Sequence, residues 1–305
     1  PMISRRNHLR RPVDRPALYM LPAMLAIAVF LYLPLGTTLV YSFFDIRHRI
    51  DLQPSAFVGF DNYRRLFASE PFWRSFGFTL YFTVCVVAGE MLLGLAMALL
   101  AFRSLRGLAA IMRSLMVVTW AIPPIIHAAI WKWLFNGDAG LIGDLLVRSG
   151  IVSQAPPFLS NPWWAMHCVI VAPMWRGAGL TGIMLLGGLA MIPTSVLEAA
   201  AVDGATPWRR FRTVTLPIMA PAILVVLMFR TVDALRAFDI IFGLTGGGPG
   251  STTEVISSFT YRFCFSYLRY GEGSAFAIVT LFLVMGVSLA YVRRVIPHLS
   301  LHQNT

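Results

Sequence analysis

Lysine is almost absent: of 25 basic residues, Lys132 is the single lysine. A Walker A loop needs a Gly-Lys-Ser/Thr step so that the ammonium reaches nucleotide phosphates, but Trp131 precedes Lys132, so the chain has no such loop. Charge of either sign is scarce, 13% of 305 residues where soluble domains carry about 25%. With a mean hydropathy of +0.69, that scarcity excludes a soluble domain, a disordered chain and a coiled coil. Cys85, Cys168 and Cys264 lie far apart with no CxxC pair, which predicts neither a disulfide framework nor a metal site. HExxH and GxSxG are missing too, so no catalytic residue and no metal ligand is assigned, and the chain is predicted not to be an enzyme.

What is present is apolar length. Hydrophobic residues make up 57% of the chain and fall in six stretches of the roughly 20 residues a membrane-crossing helix needs: about 18–44, 76–102, 111–134, 163–192, 216–242 and 274–292. This predicts an all-α integral membrane protein in one domain, 1–305, with six transmembrane helices. Arg5, Arg6, Arg10, Arg11 and Arg15 precede the first stretch, which exceeds a cleavable signal's 7 to 15 residues and reads as an uncleaved span. An even number of spans puts both termini on one side. The tail, the 102–113 loop, the 193–215 loop and the C-terminus hold 13 arginines and 3 acids, against 8 arginines and 8 acids in the opposite loops. Both termini are therefore predicted to be cytoplasmic. The net charge of +11 is read against the membrane in the same way, not as a nucleic-acid footprint.

Two outer loops have character. Residues 45–75 contain Phe57-Val-Gly-Phe-Asp-Asn-Tyr and Phe72-Trp73, aromatic enough to predict an interfacial helix. Residues 243–273 open with Thr245-Gly-Gly-Gly-Pro-Gly-Ser-Thr, read as a tight turn and not a phosphate cradle, since no lysine accompanies it. On the cytoplasmic side, residues 193–217 spell helix, turn, helix. Ser195 with Glu198 forms a capping-box pattern, Gly204 is suited to a left-handed stop, and Thr206 caps a second helix beginning at Pro207. Leu216-Pro217 is expected to mark the turn into the fifth span. Such a hairpin, with Glu198 and Asp203 near Arg209, Arg210 and Arg212, reads either as a docking surface or as a merely capped loop.

Glu198-Ala199-Ala200, three residues, Gly204, nine residues, Val214-x-Leu216-Pro217 resembles the EAA motif of permease subunits of binding-protein-dependent ABC importers. Trp120-Ala-Ile-Pro-Pro with Trp131-Lys-Trp-Leu-Phe, Leu244-Thr-Gly-Gly-Gly-Pro with Thr253-Glu-Val, Tyr261 and the 57–63 and 72–73 aromatics extend the resemblance to the MalF-like permeases of carbohydrate uptake. Phe78 and Gly143 depart from it, standing where asparagine is common. The resemblance implies a multi-pass subunit of the bacterial cytoplasmic (inner) membrane, with a second permease subunit, two ATPase subunits and an extracytoplasmic substrate-binding protein as partners, and lipid around it. It implies no cofactor in this chain, ATP and magnesium being held by the ATPase subunits. Glu198, Ala199, Ala200, Asp203, Gly204, Leu216 and Pro217 are then the ATPase-coupling residues.

Ionisable residues within spans are costly and mark either a functional path or structural pairs. Here they are Glu90, Arg176, Arg230, Asp233, Arg236 and Asp239. The last four alternate in sign every three residues along the expected fifth span, drifting about 60° per step over half a helix circumference. They are read as neutralising one another, with Glu90 pairing across helices to Arg176 or Arg230, or as lining a polar path in which Trp175 or Phe238 stacks on a sugar ring. His127 beside Pro123-Pro124 reads as a packed polar residue or a proton relay. A sugar or oligosaccharide is the expected cargo, glycerophosphate-type compounds carried by the same machinery are the alternative, and a proton-coupled secondary transporter is a more distant one.

Overall fold

A computed structural model describes residues 16–47 and 56–300, so the five tail arginines entering the charge count lie outside the described residues. The described chain is nearly all helix, with two isolated β-bridges and no strand. Five helices are long and apolar enough to cross a membrane: Tyr19–Tyr41, Glu70–Arg103, Pro162–Ala190, Pro207–Leu235 and Tyr270–Arg294, called here the first, second, fourth, fifth and sixth spans.

The stretch expected as the third span is bent at its proline pair. Gly107–Ala121 and Pro124–Leu134 meet at 95°. The cause is Ile122-Pro123-Pro124: proline offers no N–H to the preceding turn and forces the residue before it out of the helical region, and Ile122 and Pro123 have ψ of 123° and 137°. Hydropathy averaged over the stretch cannot register this corner.

In lipid no hydrophobic difference drives helix against helix, so close packing rests on small residues. The second and fourth spans meet where a Cβ at Gly94 would strike Thr181 and the backbone of Gly182. A Cβ on Gly179 would collide with the Met116 carbonyl and Thr119 of the third stretch. An apolar core of Phe82, Val86, Ala128, Phe135, Val169 and Ile241 fills the space between these elements. The first span contributes nothing to it. Its side chains from Tyr19 to Val40 are almost all exposed, a face left for lipid or another subunit.

The aromatic loop after the first span contains the short helix Asp61–Ala68. Buried Asn62 donates from Nδ2 to the carbonyls of Ser42 (2.9 Å) and Phe44 (3.0 Å), just past the end of the first span, where helix carbonyls lose their partners. Leu66 packs with Phe72, Phe259 and Phe276. Glu272 accepts from Arg65 at 3.3 Å and from Arg269, tying this helix to the start of the sixth span.

Three local expectations are corrected. Ser195 caps nothing: Thr194–Val202 is preceded by Pro193 as its N-cap, which has no side-chain acceptor. Leu216-Pro217 is no turn. The helix runs unbroken from Pro207 through a π-helical turn, Phe211–Thr215, and the missing N–H of Pro217 falls where α-helical bonding is already interrupted. The fifth span also stops early, at Leu235. Arg236 and Phe238 leave helical geometry before a separate short helix, Asp239–Leu244, so the four alternating charges do not share one helix. Ser257 holds this break by donating to the Ala237 carbonyl.

Candidate functional site

These breaks surround a cavity of about 350 Å³. The second span supplies Phe82, Val86 and Glu90, the Pro123–Pro124 corner supplies His127, the fourth span Arg176, and the broken end of the fifth span runs past it from Arg230 to Ile240. Seven of the eight path candidates read from the sequence line it: Glu90, Arg176, Arg230, Asp233, Arg236, Phe238 and Asp239. Trp175 does not. It lies beside the cavity, its ring parallel to that of His127 within 4° at 5.9 Å.

The charges form one organised pair and a looser fringe. Arg230 donates from Nε to Glu90 Oε2 at 2.7 Å and from Nη2 to Oε1 at 2.6 Å, a two-pronged arrangement that fixes geometry as well as charge. Its third donor, Nη1, reaches Asp233 at 3.0 Å. Glu90 is fully buried and Arg230 nearly so, whereas the Asp233 side chain is 45% exposed toward the opening. Of the two cross-helix partners open to Glu90, the structure selects Arg230.

Arg176 has another task. Its Nε donates to the Ile122 carbonyl at 3.0 Å, one of the acceptors the proline corner leaves without a helical partner. Arg176, Arg236 and Asp239 form no ion pair among the described residues. Phe238 stacks on Phe242 at 5.1 Å and meets Tyr261 in a tilted pair at 5.0 Å, giving the cavity an aromatic wall.

Sequence reasoning missed Gly177. A Cβ there would land on the Glu90 carboxylate and the Arg230 guanidinium, so the pair exists only because this turn of the fourth span has no side chain. The small-residue run Gly177-Ala-Gly179 was the available signal. Gly177→Ala is expected to cost about 3 kcal/mol or more, since overpacking alone costs about 1–3 kcal/mol and a disrupted buried pair more. Thermal melting of the purified protein checks this, and an unchanged midpoint refutes it.

His127 is 1% exposed, lines the cavity, and its Nε2 has no hydrogen-bond partner. An unsatisfied buried polar atom costs about 1–3 kcal/mol, so removing this one need not destabilise the fold. His127→Leu is expected to leave the melting temperature unchanged or higher while lowering uptake. A fall in stability with unchanged uptake would make the histidine a packing residue.

The hairpin is largely exposed. Gly204 takes φ +73° as its left-handed stop, and Thr206 Oγ1 accepts from Arg209 N at 3.3 Å. Glu198 and Asp203 are exposed and form no ion pair among the described residues, neither with Arg209, Arg210 and Arg212 nor elsewhere. Met191, Val202 and Trp208 present large apolar surfaces, Val202 being 88% exposed.

A helical membrane bundle with a polar cavity at broken helices and an exposed apolar hairpin is the architecture of a solute permease. Residues 90–298 match the binding-protein-dependent transport system inner membrane component family, and the chain belongs to it. It is thus an inner-membrane permease subunit and not an enzyme. It is 35% identical over 277 residues to the trehalose/maltose transport system permease protein MalF of Thermococcus litoralis, covering 90% of this chain and 92% of that one. It is also 35% identical to the sulfoquinovosyl glycerol transport system permease protein SmoG of Agrobacterium fabrum, over 90% of this chain and 88% of that one. Its fold matches a chain in the crystal structure of a bacterial alginate ABC transporter in complex with alginate pentasaccharide-bound periplasmic protein, with a TM-score of 0.78 and 25% identity over 90% of this chain and 92% of that one.

Proposed function

We propose that this chain forms half of the translocation path for a sugar or oligosaccharide in an ABC importer, the other half coming from a second permease subunit. The observation carrying the reading is the cavity itself. It joins hydrogen-bonding charges, the buried His127 and the Phe238 wall, the combination that recognises a hydroxyl-rich ring. Relatives whose names specify trehalose, maltose and sulfoquinovosyl glycerol support the same substrate class.

In this reading the single domain spans the membrane six times, the bent third stretch counting as one crossing, with both termini and the 193–217 loop cytoplasmic. That loop docks on one of two ATPase subunits, which bind ATP and magnesium. Glu198 and Asp203, exposed and without an ion pair among the described residues, meet basic groups of the ATPase, while Val202 and Trp208 enter its groove. Ala199 and Ala200 keep that helix face small, and the helix continuing through Leu216 and Pro217 carries the hairpin's movement into the fifth span and so to Arg230. An extracytoplasmic binding protein delivers the substrate, as the periplasmic protein of the alginate complex supports.

The test is ATP hydrolysis by the complete reconstituted complex, its binding protein loaded with a neutral disaccharide or with a glycerophosphodiester. Stimulation by the disaccharide is expected. Stimulation only by the phosphodiester would turn Arg176 and Arg236 into phosphate ligands and overturn the carbohydrate reading. Uptake driven by a proton gradient without ATP would overturn the ABC assignment.

A further inference from the structure

A second cavity, about 210 Å³, lies at the hairpin end of the bundle, away from the polar site. Its walls include Leu99 and Phe102 from the end of the second span, Leu189 from the end of the fourth, and Phe211 from the π-helical start of the fifth. Two arginines complete it, Arg103 and Arg210, and no carboxylate lines it among the described residues. Neither arginine forms an ion pair among the described residues.

Position gives the cleft its meaning. The second span is apolar without interruption from Met91 to Phe102, and Arg103 is the first charge after Glu90, marking where the helix leaves hydrocarbon. At 34 residues this helix is about 51 Å long, well beyond a hydrocarbon thickness of about 30 Å, so its last turn reaches headgroup level. A largely apolar cleft that also holds two guanidinium groups at this level matches one kind of molecule: a phosphodiester headgroup with acyl chains.

We propose that this cleft seats one anionic phospholipid, its phosphate held between Arg103 and Arg210 and an acyl chain lying along Leu99, Phe102, Leu189 and Phe211. Charge complementarity selects an anionic over a zwitterionic lipid, because the two guanidinium groups meet no acid among the described residues of the cleft. The bound lipid clamps the end of the second span to the start of the fifth, the stretch that joins the hairpin to the cavity. The inference rests on the membrane-spanning fold and does not depend on the substrate or on which leaflet the hairpin faces.

The complete transporter, purified from bilayers of equal phosphatidylglycerol and phosphatidylcholine, is weighed by native mass spectrometry to count retained lipids. Wild type is expected to keep one phosphatidylglycerol in preference to phosphatidylcholine. Arg103→Gln with Arg210→Gln should lower that preference at least tenfold, while Arg113→Gln, an exposed arginine of the third stretch, should leave it intact. Leu99→Trp, which fills the slot without touching charge, should also expel the lipid, so the proposal stays testable if the arginine variants assemble poorly. Equal retention by all forms overturns it. Wild type without bound phosphatidylglycerol assigns the cleft to a partner subunit, and displacement by excess inorganic phosphate makes it a simple anion site; either result also overturns the proposal.

Discussion

Glu90→Leu is expected to abolish stable assembly, while Glu90→Leu combined with Arg230→Met restores most of it. The single substitution leaves Arg230 buried with only the half-exposed Asp233 as partner. Breaking a buried pair by removing one member costs about 3–5 kcal/mol, a large part of the 5–15 kcal/mol that holds a typical fold together. Replacing both members by apolar side chains of similar volume removes two desolvation penalties together with the attraction and is close to neutral. Melting of the purified wild type, both single variants and the double variant completes the cycle, and additivity of the two single effects would refute a direct pair. The same geometry predicts that exchanging Arg230 and Asp233 fails, because an aspartate at 230 would face the Glu90 carboxylate, which the exchange leaves in place. Retained assembly by the exchanged protein would show that Arg230 pairs along its own helix instead.

Much of this site was legible in the sequence, and the misses share a cause. Charges in apolar stretches are costly enough to stand out without a structure, and seven of the eight residues selected on that basis or as stacking aromatics line one cavity. Which charge meets which was not legible: Glu90 and Arg230 are 140 positions apart, and Arg176 was an equal candidate until Gly177 opened the space between the second and fifth spans. The corner at Pro123-Pro124 follows from the proline pair itself, whereas the end of the fifth span falls earlier than its apolar sequence suggests. At Arg236–Phe238 no glycine or proline announces the break, which depends on a tertiary hydrogen bond from Ser257. Gly204 and Thr206 behaved as their local chemistry dictates, whereas Ser195 lost its cap to the proline two positions before it. The Gly143 departure also acquires a reason, since a Cβ there would approach Ala155 Cβ to 2.9 Å and asparagine has no room.

Gly204→Asp is expected to abolish substrate-stimulated transport while the chain still inserts and assembles its membrane core. Gly204 holds φ at +73° between the two helices of the hairpin, and left-handed geometry costs a residue bearing a Cβ about 1–2 kcal/mol. That is too little to unfold a bundle whose packing lies elsewhere: no neighbouring atom is within 4 Å of a Cβ at 204. The damage is therefore confined to the angle between Thr194–Val202 and the helix from Pro207, and to a third negative charge beside Glu198 and Asp203. Gly204→Asn separates these effects, since asparagine tolerates the left-handed region better than most residues and adds no charge. If the angle is what matters, the asparagine variant should retain several-fold more transport than the aspartate variant, with equal amounts of both in the membrane. Normal transport by Gly204→Asp would remove the hairpin from the coupling path. Loss of the chain from the membrane would instead make the turn a folding element.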